Sequence, residues 1–153
     1  MCIRDSWYGG GNLLGGWTAA MTTDLWMLAY MVLFGLGLQV PVSVARMRLD
    51  GGTKWTLGNR DTELELSPWI ARAQRAQRNH LEALVAFAAL VLTAHVSQTA
   101  NEMTAMVATL FFVLRVIYSV VYIAGIPTLR TVVWTLSQLC LVMIFLQLLG
   151  APP

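Results

Sequence analysis

Apolar residues fall in four long stretches along this chain, and the polar ones crowd between the first two. The first stretch covers about 24–45. The second approaches amphipathically from Pro68 and becomes continuously apolar over about 81–96. The third and fourth cover about 102–124 and 129–149. A helix needs roughly 20 residues to cross about 30 Å of hydrocarbon, so each stretch predicts one membrane-spanning helix. Local signals support these limits. Ser67-Pro68 opens the second helix, because proline at the first helical position lacks only an N–H that would go unpaired anyway. Gly150 before Pro152 and Pro153 ends the fourth. Gly35 and Gly37 leave room for a neighbouring backbone on the first helix, and Pro41 is expected to bend its last turn.

The connections set the topology. The polar segment 46–67 carries two turn signals, Asp50-Gly51-Gly52 and Gly58-Asn59-Arg60-Asp61, and reads as a loop. The 97–101 connection is short, and Gly125-Ile126-Pro127 is a tight turn. Short connections make neighbours antiparallel, so the expected fold is an all-α integral membrane protein, an up-down four-transmembrane-helix bundle. Arg46, Arg48, Lys54, Arg60, Arg72, Arg75 and Arg78 lie between or at the ends of the first two helices, while 97–101 has no basic residue. The positive-inside rule then puts the 46–67 loop and the 125–130 turn in the cytoplasm, with both termini outside. A bacterial inner membrane is the expected location. Residues 1–20 open with MCIRDS, which resembles translated sequencing-adapter read-through, and continue Gly-rich without periodicity. They are expected to be a non-native or disordered leader, with the single domain spanning 21–153.

Composition agrees. Of the 153 residues 57% are hydrophobic and 12% charged, with a mean hydropathy of +0.62. A soluble domain carries about 25% charged residues. A net charge of +2 without a basic tail gives no reason to expect nucleic acid. Cys2 and Cys140 are too far apart to suggest a disulfide or metal framework, and no metal is expected. Trp26, Trp55, Trp69 and Trp134 fall near helix ends and read as an interfacial belt.

Some polar residues do not belong in lipid. Arg75, Arg78, Asn79 and Glu82 lie within roughly a 100° arc of one helix face, with Arg72 one turn earlier. Arg115 sits mid-helix between Leu110 and Ile117, where an arginine costs about 2.5–3.5 kcal/mol. Glu82 is the acidic side chain placed to meet it, so a Glu82–Arg115 contact is expected. Tyr118 and Tyr122 share the Arg115 face. A buried pair that fixes helix register would account for Arg115 and Glu82 alone, but it needs neither four arginines nor an amide. The full set, with Arg130, suits a cavity open to the cytoplasmic side. Arginine forks match carboxylates, Glu82 accepts from an ammonium, and tyrosine hydroxyls reach amides or a thiol. Glutathione offers those groups. No Gly-rich phosphate loop precedes a helix.

The run Arg75-Ala76-Gln77-Arg78-Asn79-His80-Leu81-Glu82 resembles the second-helix signature of the MAPEG family, the membrane-associated proteins in eicosanoid and glutathione metabolism. The run from Arg115 through Tyr118 to Tyr122, with Pro127 and Arg130, is similar to that family's later pattern, and Gly58-Asn59-Arg60-Asp61 is similar to bacterial members. The resemblance covers about 24–150. It implies a homotrimer of four-helix subunits that binds glutathione in a U shape at each subunit interface. Carried over by position, Arg75, Arg78, Asn79, Glu82, Tyr118 and Tyr122 would hold the tripeptide. Arg115 would contact it or brace Glu82, Arg46 would lie near the same site, and Arg130 would be the catalytic cation beside the thiol. The implied activity is that of a glutathione transferase or peroxidase acting on a lipophilic electrophile or lipid hydroperoxide. A non-catalytic scaffold of the same fold, or a small-molecule transporter, are the alternatives. His80 and Gln77 are variable positions in the family, with His80 expected at the membrane boundary rather than acting as a base. His95 is expected to be a polar cap, and Ala86 stands where a proline often follows.

Overall fold

The computed structural model describes residues 21–61 and 64–150. The leader expected over 1–20 lies outside the described residues, as do Pro152 and Pro153. The chain forms α1 (Thr23–Met47), α2 (Gly52–Leu57), α3 (Pro68–Val96), α4 (Glu102–Ala124) and α5 (Pro127–Leu149). All but α2 are long and apolar enough to cross a membrane, and they coincide with the four expected spans. Pro68 stands in the first turn of α3, as its missing N–H predicts. α1 runs on through Pro41 to Met47.

The departure from expectation is α2, a short helix inside the segment read as a loop. Gly51 takes a left-handed backbone (φ 70°), and Gly52 packs so tightly on the Arg46 carbonyl that a side chain would have no room. These two glycines fold the chain back against the end of α1. Six residues are too few for helical periodicity to stand out from a polar loop.

α3 and α4 form the central pair of the bundle. α1 packs against both on one side and α5 against both on the other. Met31, Phe87, Val91, Val107, Ala108, Phe111 and Ile144 make the main core, with the Phe87 and Phe111 rings stacked at 4.6 Å. Between lipid-embedded helices this cluster contributes close packing rather than escape from water.

The two ends of α4 are closed by different means. At its start Asn101 Oδ1 accepts from the Thr104 N–H at 3.0 Å, and Thr104 Oγ1 accepts from the Asn101 N–H at 2.9 Å, a reciprocal capping box. At its end Gly125 turns left-handed (φ 83°), and the Gly125 and Ile126 N–H groups bond the Val121 carbonyl. The Ile123 carbonyl receives Arg72 Nε from α3 at 2.9 Å. α4 has no basic residue in its own last turn, so Arg72 supplies the cation at the negative end of its dipole.

Candidate functional site

The polar residues of α3 divide between two faces. Arg75, Arg78 and Glu82 are exposed, three and seven residues apart along one stripe, and Asn79 is half-buried beside them. His80, on the opposite face, is fully buried. The residue expected at the membrane boundary is thus packed inside the bundle. Its Nε2 lies 2.9 Å from the Met31 carbonyl, so that nitrogen carries the proton and donates, leaving Nδ1 without a partner. The ring meets Phe34 edge-on at 5.2 Å. A Cβ on Gly35 would come within 3.1 Å of it, whereas Gly37 faces open space. Of the two glycines read as close-approach positions, only Gly35 serves, and it admits an imidazole rather than a backbone.

Arg115 is fully buried. Nη2 donates to Asn79 Oδ1 at 2.9 Å, and Nε and Nη1 have no hydrogen-bond partner. The expected Glu82–Arg115 contact is thus absent, because Glu82 lies on the exposed stripe and Asn79, three residues earlier, turns inward to take its place. The guanidinium stacks on Tyr118 at 4.5 Å, and Tyr118 meets Tyr122 edge-to-face at 5.5 Å. Arg130 on α5 lies over Tyr122 at 4.7 Å. A continuous run therefore links Asn79, Arg115, Tyr118, Tyr122 and Arg130, with the tyrosine pair held between two guanidiniums at cation–π distances.

Two cavities meet at this run. One, of about 160 Å³, is bounded by Arg72, Arg75, Tyr122, Arg130 and the 125–127 turn. The other, of about 270 Å³, is bounded by Tyr118, Tyr122, Arg130, Thr131 and Trp134. Arg130 and Tyr122 line both, so one guanidinium faces a cationic chamber on one side and an aromatic chamber on the other. The cationic chamber suits a carboxylate. The aromatic chamber suits an apolar or planar group.

The other sequence-predicted residues fall elsewhere. Arg78 and Glu82 line neither cavity; both are exposed, and the Glu82 carboxylate acts on Arg115 and Tyr118 through space rather than by a direct bond. Arg46 packs over the Trp55 ring at 5.7 Å, with Arg60 on the same ring at 5.5 Å. Trp55, expected in an interfacial belt, is thus engaged by two guanidiniums. Among the described residues no three His, Cys, Asp or Glu side chains gather as a metal site requires. Several lining residues stood outside the expected site, among them Arg72, Thr131 and Trp134. Arg72 carries a sequence signal, standing one turn before Arg75 on the same face. Trp134, four residues after Arg130, was read only as an interfacial aromatic. Residues 25–150 match the family model described as MAPEG family. No curated protein matches the chain.

Proposed function

Because the chain belongs to the MAPEG family, whose members are membrane proteins of glutathione and eicosanoid metabolism, we propose that this integral membrane protein is a glutathione-dependent enzyme of transferase or peroxidase type. The observation that carries this reading is the shared wall: Arg130 borders both the cationic and the aromatic cavity. Glutathione supplies a nucleophilic thiol and two carboxylates. Arg75 holds a carboxylate in the cationic cavity, and Arg130 faces the sulfur. Arg115 Nε and Nη1, which have no hydrogen-bond partner, add three N–H donors to the same run. An ordinary thiol has a pKa of about 8.5 and is a few per cent ionised at neutral pH. A guanidinium that lowers it by two units contributes about 2.7 kcal/mol and makes thiolate the major form. Arginine does this without losing its own charge. The thiolate then attacks a lipophilic electrophile or a lipid hydroperoxide arriving from the bilayer through the aromatic cavity.

The exposed stripe supports a site completed by a second protomer. An outward-facing carboxylate on a membrane-spanning helix is expensive in lipid, and Glu82 with Arg75 and Arg78 is exposed in this way. A homotrimer in which Arg46 of one copy approaches Glu82 of the next pairs that carboxylate and leaves Arg75 and Arg78 free for an anionic ligand. In the proposed orientation the end carrying 46–67 and 125–130 is cytoplasmic.

The test is glutathione-dependent turnover of an aryl halide and of a lipid hydroperoxide by detergent-purified protein, alongside equilibrium glutathione binding and the ultraviolet thiolate band. Turnover with either substrate, lost in Arg130→Ala, supports the reading. Tight binding without turnover or thiolate identifies a non-catalytic scaffold, and absence of binding removes the glutathione site.

A further inference from the structure

Arg130 reaches its place through a short and rigid path. α4 ends at the left-handed Gly125, and Ile126 and Pro127 start α5. The Arg130 N–H then closes a helical hydrogen bond on the Ile126 carbonyl at 3.1 Å. The side chain returns over Tyr122, in the last turn of α4. Both anchors of the guanidinium, the turn and the tyrosine, belong to one small unit at the end of α4.

Arg72 ties this unit to α3. Its Nε donates to the Ile123 carbonyl at 2.9 Å. Its guanidinium also packs closely on Gly125, so that a Cβ there would come within 3.3 Å of both Cζ and Nε. The contact therefore depends on the missing side chain as well as on the turn geometry. One turn further along α3 stands Arg75, which shares the cationic cavity with Arg72 and Arg130. We propose, resting on the glutathione-dependent activity above, that Arg72 is a positioning residue: by clamping the α4–α5 turn to α3 it fixes Arg130 relative to the carboxylate-holding Arg75, and so sets how strongly Arg130 stabilises the thiolate. The planar fork matters here as well as the charge. Lysine keeps the charge but has no Nε–Cζ group to pack on Gly125 while it donates to Ile123.

Two variants of the full-length protein test this in detergent. Arg72→Lys keeps the cavity charge and loses the close contact on Gly125. Gly125→Asn keeps a residue type that tolerates the left-handed backbone, but adds the Cβ that presses on Arg72. Each is expected to lower the thiolate-to-thiol ratio of bound glutathione about tenfold, one pKa unit, as read from the thiolate band across pH. Glutathione affinity is expected to change less than about threefold. Turnover should fall through kcat rather than KM. A thiolate band of wild-type strength in both variants overturns the positioning role, as does a loss of affinity equal to the loss of ionisation. A wild-type protein that binds glutathione with no thiolate band overturns the activity itself, and the positioning role with it.

Discussion

The two ends of the bundle solve the same problem, polar groups held near lipid, in opposite ways. At the 97–101 end the polar groups find partners within a few residues. Asn101 and Thr104 cap α4 reciprocally, and Ser97 and Thr99 hydroxyls take the Ala94 carbonyl at the end of α3. At the 125–130 end and on into the middle of the bundle the partners come from other helices: Arg72 to Ile123 at the turn, Arg115 to Asn79 and His80 to Met31 deeper in. Even then Arg115 and His80 retain buried nitrogens without partners. Local closure serves stability. Both ends carry a cavity, and the one at the 97–101 end is the larger, about 480 Å³; what sets the other end apart is that arginines and tyrosines line its cavities.

The largest effect expected from this contrast lies in the apolar core between the two ends. Phe87→Ala removes one of two stacked buried rings and leaves a cavity in the main core. The cost is expected to be about 3 kcal/mol, the low end of the range for such truncations, because lipid rather than water solvates the separated helices. Thermal unfolding in detergent measures it. Glutathione affinity of the protein that remains folded should be close to wild type, and a parallel loss of affinity would break the division between the ends.

Arg130→Ala acts the other way round. Arg130 is half-buried, and its recorded contact is the Tyr122 ring, so little packing is lost. The thiolate stabilisation of about 2.7 kcal/mol should disappear, a fall of roughly a hundredfold in the ionisation ratio. Melting should move little. A variant that melts much lower but ionises glutathione normally would make Arg130 a structural residue.

Asn79→Leu stands between these two. It removes the one hydrogen-bond acceptor that Arg115 has among the described residues and leaves a buried guanidinium without a partner. Losing a hydrogen bond to a charged group costs about 1.5–3 kcal/mol. Both melting and glutathione affinity should fall. Adding glutathione should recover part of the melting temperature if the ligand offers Arg115 a substitute acceptor.

The sequence made the four spans legible because lipid leaves the backbone few alternatives: long apolar runs must be helices. It also marked Arg115, Tyr118, Tyr122 and Arg130 as a group, which the structure joins through ring stacking. It misassigned the partner of Arg115 for a specific reason. Charge complementarity favours Glu82, but the side-chain directions on α3 put Glu82 on the exposed stripe and Asn79 at its inner edge. Helical spacing gives the arc and not its absolute rotation toward α4. The role of His80 was equally hidden, because it depends on a glycine on another helix, Gly35, that no local pattern connects to it. α2 was missed because its glycines, which read as turn signals, also begin a helix.

The smallest effect sharpens the comparison most. Asn101 combines two jobs: its Oδ1 caps α4, and its Nδ2 reaches Gln147 Oε1 on α5 at 3.2 Å. Asn101→Ala removes both and should cost about 1 kcal/mol. Asn101→Asp keeps the capping oxygen, adds a favourable charge at the helix start and loses the Nδ2 donor to Gln147 and to the Thr99 carbonyl. If closure at this end is local, the aspartate variant should melt within a few tenths of a kcal/mol of wild type. Equal losses in the two variants would mean that the bridge to α5 matters more than the cap. The far end would then depend on long-range partners, as the basic end does, and neither variant should alter the thiolate band.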